Sequence, residues 1–491
     1  MVRYGERISI EDCIRVGKGE RVEAAPGARE RVERTRERLS RWVEEGRIMY
    51  GINTGFGKLA STRIPGDKLE ELQENLILSH ASGTGNPLSP ELVRMAMFIR
   101  LHALSLGYSG TRWEVIKLLE EMLNRGVVPV VPEKGSVGAS GDLAPSAHMT
   151  LVLIGRGEAF YGNKRMPGKE ALERAGLSPI TLEEKEGLAL LNGTHFLSAI
   201  NSYAVHESLK LCDLADVALS VSLDAIEGNL SAFDPRIQEL KGIEGQVRTA
   251  ENVRRVLEGS GVERGKRVQD PYSFRCAPQV HGAVRELVEF AKRNVEKEIN
   301  AVTDNPLVFE DGVLSGGNFH GELMAFTADI LRMALSELAS ISERRIYILM
   351  DPSFTSLSPF LAKESGLNSG FMIPHVLAAA LVSENKILSH PCSVDTIPTS
   401  GGQEDHVSMG MGGCLTLLRV LENVRTVLAV EFLSGLQALD LAGRTSGGFV
   451  EKIRKMVREE IPVMERDREI YKDIEKMKEL LEGIWREWEN F

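Results

Sequence analysis

From Ser202 to Glu227 the chain contains neither glycine nor proline, and Val205, Leu209, Cys212, Leu219, Leu223 and Ile226 fall on one helical face. Only Asp216 interrupts that face. Two further stripes repeat the pattern, one at Val280, Val284, Leu287, Ala291, Val295 and Ile299 and one at Leu323, Phe326, Ile330, Ala334, Leu338 and Ile341. Leu415 to Leu433 is apolar almost all round, which a helix tolerates only deep inside a bundle. Such a chain is mainly α, a bundle of long helices. The first 200 residues differ, because glycine and proline break them at Gly51–Gly57, Gly83–Pro90, Pro129–Pro145 and Gly155–Gly168. The expected organisation is an irregular, mixed N-terminal region over 1–200 and a long-helix bundle over 201–491, ending in charged surface helices after Glu451.

Composition narrows the function. At 491 residues, 43% hydrophobic and 26% charged, the chain has the balance of a globular protein with a large core. A net charge of -11 argues against nucleic acid or an anionic membrane as partner. No apolar run approaches bilayer length, and the charged start MVRYGERISIEDCIRV does not read as a signal peptide. Cys13, Cys212, Cys276, Cys392 and Cys414 are scattered and odd in number, so no disulfide framework is expected and the cytoplasm is the simplest location. The ten histidines form no H-x-x-x-H or H-E-x-x-H pattern, so no metal is expected.

The stretch GSVGASGDLAPSAHM, Gly135 to Met149, asks for a chemical explanation. Its glycine spacing fits neither phosphate-binding fingerprint, and Asp142 would set a negative charge where a phosphate must sit. The serine lies in G-x-S-G rather than the G-x-S-x-G of a nucleophile elbow. An ordinary tight turn is the commoner use of such residues. A third reading makes the backbone itself the reactant. If the Gly141 nitrogen attacked the Ala139 carbonyl, a five-membered ring would close, and loss of water from Ser140 would leave a conjugated methylene. Gly141 permits the close approach, and Asp142 is placed to move protons.

Other stretches combine polar side chains with backbone punctuation: YGINTGFG from Tyr50, SHASGTG from Ser79, LNGT from Leu191, QDPYSFRC from Gln269, SGGNFH from Ser315 and QEDHVSM from Gln403. Taken singly, each has a bland explanation. Tyr50 packs, His80 is a satisfied core residue, Asn192 caps a helix, Arg275 is a surface charge and Glu404 is half of a solvated acidic pair.

Together, in this order, they closely resemble the aromatic amino acid ammonia-lyase family, over a span from Tyr50 to beyond Met409. The resemblance implies a mainly α fold of the fumarase–aspartase type. It implies that Ala139, Ser140 and Gly141 cyclise autocatalytically into 4-methylideneimidazol-5-one, with Asp142 assisting. It casts Tyr50 as the base for the β-hydrogen, a phenolate that the site has to stabilise. Arg275 would hold the substrate carboxylate in a bidentate fork, which lysine cannot imitate. Tyr272, Asn192 and Gln269 would complete the hydrogen-bonding shell, and Phe319 would form part of the wall. A homotetramer is implied, with each active site drawing residues from three chains.

Substrate choice rests on Ser79–His80 and Glu404, which resemble the family members acting on histidine. Those acting on phenylalanine or tyrosine tend to carry Phe-Leu or His-Leu at the first position and lack the Q-E-D-H run. Glu404 can accept a hydrogen bond from an imidazole N–H and would be stranded against a phenyl ring, a contrast that discriminates by about 10⁴–10⁵ where polar groups are buried. The expected reaction is L-histidine to trans-urocanate and ammonia, the first step of histidine degradation. The alternatives are a phenylalanine or tyrosine ammonia-lyase, a 2,3-aminomutase and a silent homologue; Ser140, Tyr50 and Arg275, whose loss would mark the last, are all present. Two departures stand out: Gly402 where an asparagine is expected before the Q-E-D-H run, and Phe274 where leucine is usual.

Overall fold

The computed structural model describes residues 1–59 and 61–491. The glycine-free stripes are helices: His195–Ala225, Ala277–Glu298, Glu322–Leu349 and Gly410–Ala442. The described chain is mainly α, with short strands confined to small two- and three-stranded sheets. Among the described residues no helix is long and apolar enough to cross a membrane.

Two compact units emerge, each assembled from separated stretches. The first comprises Met1–Tyr203, Lys292–Asp329 and Pro391–Leu415, and the second Ala204–Ala291, Ile330–His390 and Thr416–Phe491.

In the second unit, Asp216 does not weaken its apolar face. The carboxylate is fully buried, 2.7 Å from His281 Nδ1, and accepts from Arg285 Nη2 at 2.5 Å and Asn252 Nδ2 at 2.8 Å. Arg345 forks onto Glu431 at 2.6 and 2.9 Å, both side chains being fully buried. Polar residues on the inner faces thus cross-link the long helices, because each buried charge meets an opposite one. The apolar segment after Leu415 divides in two. Arg419 and Glu422 keep its first turns partly in solvent, whereas Val427 to Leu439 is buried throughout. The charged C-terminus forms two amphipathic helices, Gly448–Glu460 and Ile470–Glu489, which bury Ile453 and Val457, and Met477 and Ile484.

The first unit is more helical than its glycine and proline content suggests. Ser89 caps the helix Pro90–Ser105, accepting from Leu92 N, and Pro90 starts it where no N–H is needed. Every residue from Leu92 to Ser105 is buried, so this helix is a central rod of the unit. Against it pack Ile10–Gly17, Trp113–Arg125 and Ala28–Glu44, while Leu69–His80, Leu143–Leu153 and Glu186–Leu191 pack on one another, and Glu158–Tyr161 pairs with Val128–Pro129 and Lys164–Pro167 in a small sheet.

Candidate active site

The first unit encloses a cavity of about 1190 Å³, and Tyr50, His80, Ser140, Asn192, Phe319 and Glu404 all line it. Each is carried by a different local device. Tyr50 sits between Met49 and Ile52, which are locked into an apolar cluster with Leu39, Trp42 and Val308. Asn53 closes the turn by accepting from Met49 N at 2.8 Å and donating to Arg47 O at 2.7 Å. The Tyr50 hydroxyl accepts from Gly57 N at 3.1 Å. His80 ends the helix Leu69–His80, with Nδ1 2.8 Å from Leu76 O and 3.0 Å from Ser79 Oγ. Burial holds its pKa below the usual histidine value, so the ring is neutral.

Ala139, Ser140 and Gly141 lie where the chain turns into the helix Leu143–Leu153. Gly141 has φ +78°, and a Cβ there would stand 2.2 Å from Gly193 O, so no other residue fits. The loop is stapled from behind. Gly138 O accepts from Gly321 N at 3.1 Å and Ser408 Oγ at 3.0 Å, and Val137 O accepts from Met409 N at 2.8 Å. Ala139 is 5% exposed, and Asn192 Nδ2 donates to Ser140 O at 2.8 Å.

Glu404 faces the serine. Its Oε1 accepts from Ser140 Oγ at 2.6 Å, and its Oε2 from Thr399 Oγ1 at 2.6 Å and Ser400 Oγ at 2.8 Å. Burial pushes its pKa up, but the hydroxyls of Ser140, Thr399 and Ser400 outweigh that and hold it below the usual carboxylate value. Asp142 behaves oppositely. It is wholly buried, and burial lifts it to about 7 although Phe196 N and Leu197 N donate to Oδ2 at 2.8 and 3.0 Å. One acid beside the serine is therefore ionised at neutral pH while the other stands near half-protonation.

Gln269, Tyr272 and Arg275 belong to the second unit and do not line this cavity. They form their own group. Arg275 Nη1 donates to Gln269 Oε1 at 2.7 Å, the guanidinium lies 6.0 Å from the Tyr272 ring, and Tyr272 is 72% exposed.

Thr399 and Ser400, the partners of Glu404, escaped the sequence reading because hydroxyls in a glycine-rich loop carry no spacing signal. The same holds for a group with metal-ligand spacing: one donor atom each of His320, Glu322 and His406 lies within 4.8 Å of the others, although 86 residues separate the histidines. Only the fold assembles it.

The aromatic amino acid lyase family model matches residues 8–459. The chain belongs to that family. A histidine ammonia-lyase of Caldanaerobacter subterraneus subsp. tengcongensis is 50% identical over 477 residues, 96% of this chain and 94% of that protein. Among solved structures, histidine ammonia-lyase from Trypanosoma cruzi superposes with a TM-score of 0.93 at 42% identity, covering 99% of this chain and 94% of that one. The tyrosine aminomutase from Streptomyces globisporus reaches 0.95 at 32% identity, covering 98% and 97%. This family member is thus a carbon–nitrogen lyase whose fold is shared with aminomutases, so side chains rather than fold must discriminate among substrates.

Proposed function

We propose that this lyase converts L-histidine to trans-urocanate and ammonia, with 4-methylideneimidazol-5-one formed from Ala139, Ser140 and Gly141. The observation that carries the reading is Glu404: an ionised carboxylate 2.6 Å from Ser140 Oγ, in the same cavity as a neutral His80. The residues fit the prosthetic group. Gly141 occupies a position closed to any Cβ, Ala139 is small and buried, and Asn192 donates to the Ser140 carbonyl that the ring would retain. When formed, the group supplies an electrophile that no side chain offers.

The remaining work falls to the chain. The β-hydrogen of an α-amino acid is far less acidic than any side chain, and a general base alone contributes about 10²–10⁴-fold. Tyr50, as a phenolate, takes that proton, and the Gly57 N–H faces the oxygen that carries the negative charge beforehand. Glu404 accepts the imidazole N–H and orients the ring, while Phe319 walls the cavity. A phenyl ring would leave Glu404 desolvated without a donor, which favours histidine over phenylalanine or tyrosine. Arg275, with Gln269 and Tyr272, receives the substrate carboxylate, and a homotetramer with shared sites supplies that group from another copy of the chain.

Ultraviolet spectra of the purified protein with L-histidine, L-phenylalanine or L-tyrosine test the reading, with Ser140→Ala as control. Urocanate from histidine alone, absent in Ser140→Ala, is expected. Cinnamate or coumarate would overturn the substrate, and no new absorbing product from any of the three would point to an aminomutase or a silent homologue.

A further inference from the structure

Arg100 is a buried cation that the mechanism above does not use. It lies on the central helix Pro90–Ser105 with no side-chain exposure. Its neighbour Arg94 is ordinary by comparison, donating to Val16 O at 2.9 Å and Leu123 O at 3.0 Å. Among the described residues Arg100 has no hydrogen-bond partner on any of its three nitrogens. Its nearest opposite charge, Asp304, stands 3.8 Å away and is already engaged by Lys185 at 2.8 Å, itself fully buried. Two cations therefore share one carboxylate, and such an arrangement is costly unless something uses the surplus charge.

The place where that charge points is specific. A Cβ on Gly193 would stand 2.8 Å from Arg100 Nη1, so the guanidinium rests against Gly193. On its other side Gly193 pairs with Gly141, and its carbonyl accepts from Asp142 N at 2.9 Å. Gly193 thus neighbours both the surplus cation and the tripeptide. The acids nearby do not cancel it fully, since burial raises both Asp142 and Glu298.

We propose that Arg100 is a positioning residue for self-modification: its guanidinium, without a hydrogen bond among the described residues and sharing Asp304 with Lys185, acts through Gly193 and stabilises the negative charge that develops on Ala139–Ser140–Gly141 as the ring forms. The inference rests on the prosthetic group proposed above. Ring closure forms a bond from Gly141 N to the Ala139 carbonyl carbon. That carbonyl oxygen leaves as water with the amide hydrogens of Gly141 and Ser140, leaving a carbon–nitrogen double bond. A second water takes the Ser140 α-hydrogen and hydroxyl, leaving the methylidene. No oxidant is needed. Both stages pass through anionic oxygen, first on Ala139 and then on the Ser140 carbonyl, which Asn192 also faces. A fixed cation in a water-poor interior is most effective on such charge.

Intact-mass spectrometry at set times after synthesis reads the modification without reference to activity, alongside denaturant unfolding. The parent should become two waters lighter than its sequence mass, and Ser140→Ala cannot lose the second. Arg100→Met should lose its waters at least about tenfold more slowly while unfolding at the same or higher denaturant, because a buried cation without a hydrogen bond has been removed and Lys185 still pairs with Asp304. Arg100→Lys should recover much of the rate. Loss of both waters by Arg100→Met at the parental rate would overturn the inference alone. So would an unfolded or clearly weakened Arg100→Met, which would assign the arginine to structure. A parent at full sequence mass would overturn the prosthetic group and this role with it.

Discussion

Glu404 divides its two oxygens between tasks: Oε2 is held by Thr399 and Ser400, while Oε1 faces Ser140 and the cavity. Glu404→Gln keeps the shape and loses the charge. Steady-state kinetics should show kcat/KM for L-histidine reduced about 10–100-fold, the cost of weakening a charged hydrogen bond of about 1.5–3 kcal/mol, with no matching loss for L-phenylalanine. An equal loss for both substrates would deny Glu404 its role in discrimination. Asp142 gives a pH signature. Its folded pKa, about 7, lies above its ordinary 3.8, so the folded state binds more protons between those values. The stabilisation it confers is complete below about pH 4 and is lost as pH rises to about 7. Asp142→Asn should flatten the stability–pH curve in that window when urea midpoints are measured at intervals; an unchanged slope would mean that Asp142 is ionised throughout.

The long helices depend on charges as well as apolar stripes. Asp216, an apparent flaw on the face of His195–Ala225, is the acceptor for His281, Arg285 and Asn252. Burial and the adjacent Arg345 keep His281 below its usual pKa despite Asp216, so the neutral ring donates from Nδ1 and accepts from Arg345 at Nε2, 3.2 Å away. Among the described residues, Asp216→Ala leaves Arg285 with Asp213, at 2.9 Å, as its one carboxylate partner and removes the acceptor of His281. Denaturant unfolding should show a loss of about 3–5 kcal/mol, the cost of stranding a buried ion. A loss under about 1 kcal/mol would mean that water replaces the carboxylate. Arg345 also reaches Ser273 O, at 3.4 Å, and so links this network to the turn carrying Tyr272 and Arg275.

At the scale of the whole molecule, Tyr50, Ser140 and Glu404 line one cavity of the first unit, whereas Arg275 belongs to the second unit. The homotetramer with shared sites proposed above predicts complementation. Ser140→Ala and Arg275→Met chains should each be inactive alone. Co-expressed in equal amounts, they should recover about a quarter of parental activity, since each site then draws an intact Ser140 and an intact Arg275 from different copies with even odds. Assays of the co-purified mixture decide the matter, and no recovery would mean that one chain supplies both residues.

The long helices were legible because a 3.6-residue apolar period survives whatever the partner surface is, whereas Ala139–Ser140–Gly141 read by itself also fits an ordinary turn and took its chemical meaning from the family resemblance. Tyr50, His80, Asn192 and Glu404 were legible as motifs, although nothing in their spacing brings them to one cavity. The small N-terminal helices were underestimated, since tertiary burial of Pro90–Ser105 outweighs local punctuation. Tertiary structure alone decided that Asp216 is a cross-link, that Thr399 and Ser400 keep Glu404 ionised, and that His320, Glu322 and His406 converge. It alone revealed Arg100 beside Gly193 as a buried cation without a hydrogen bond among the described residues. Sequence records which groups a chain possesses and their local period, whereas ionisation and pairing depend on distances and burial that arise only when remote segments meet.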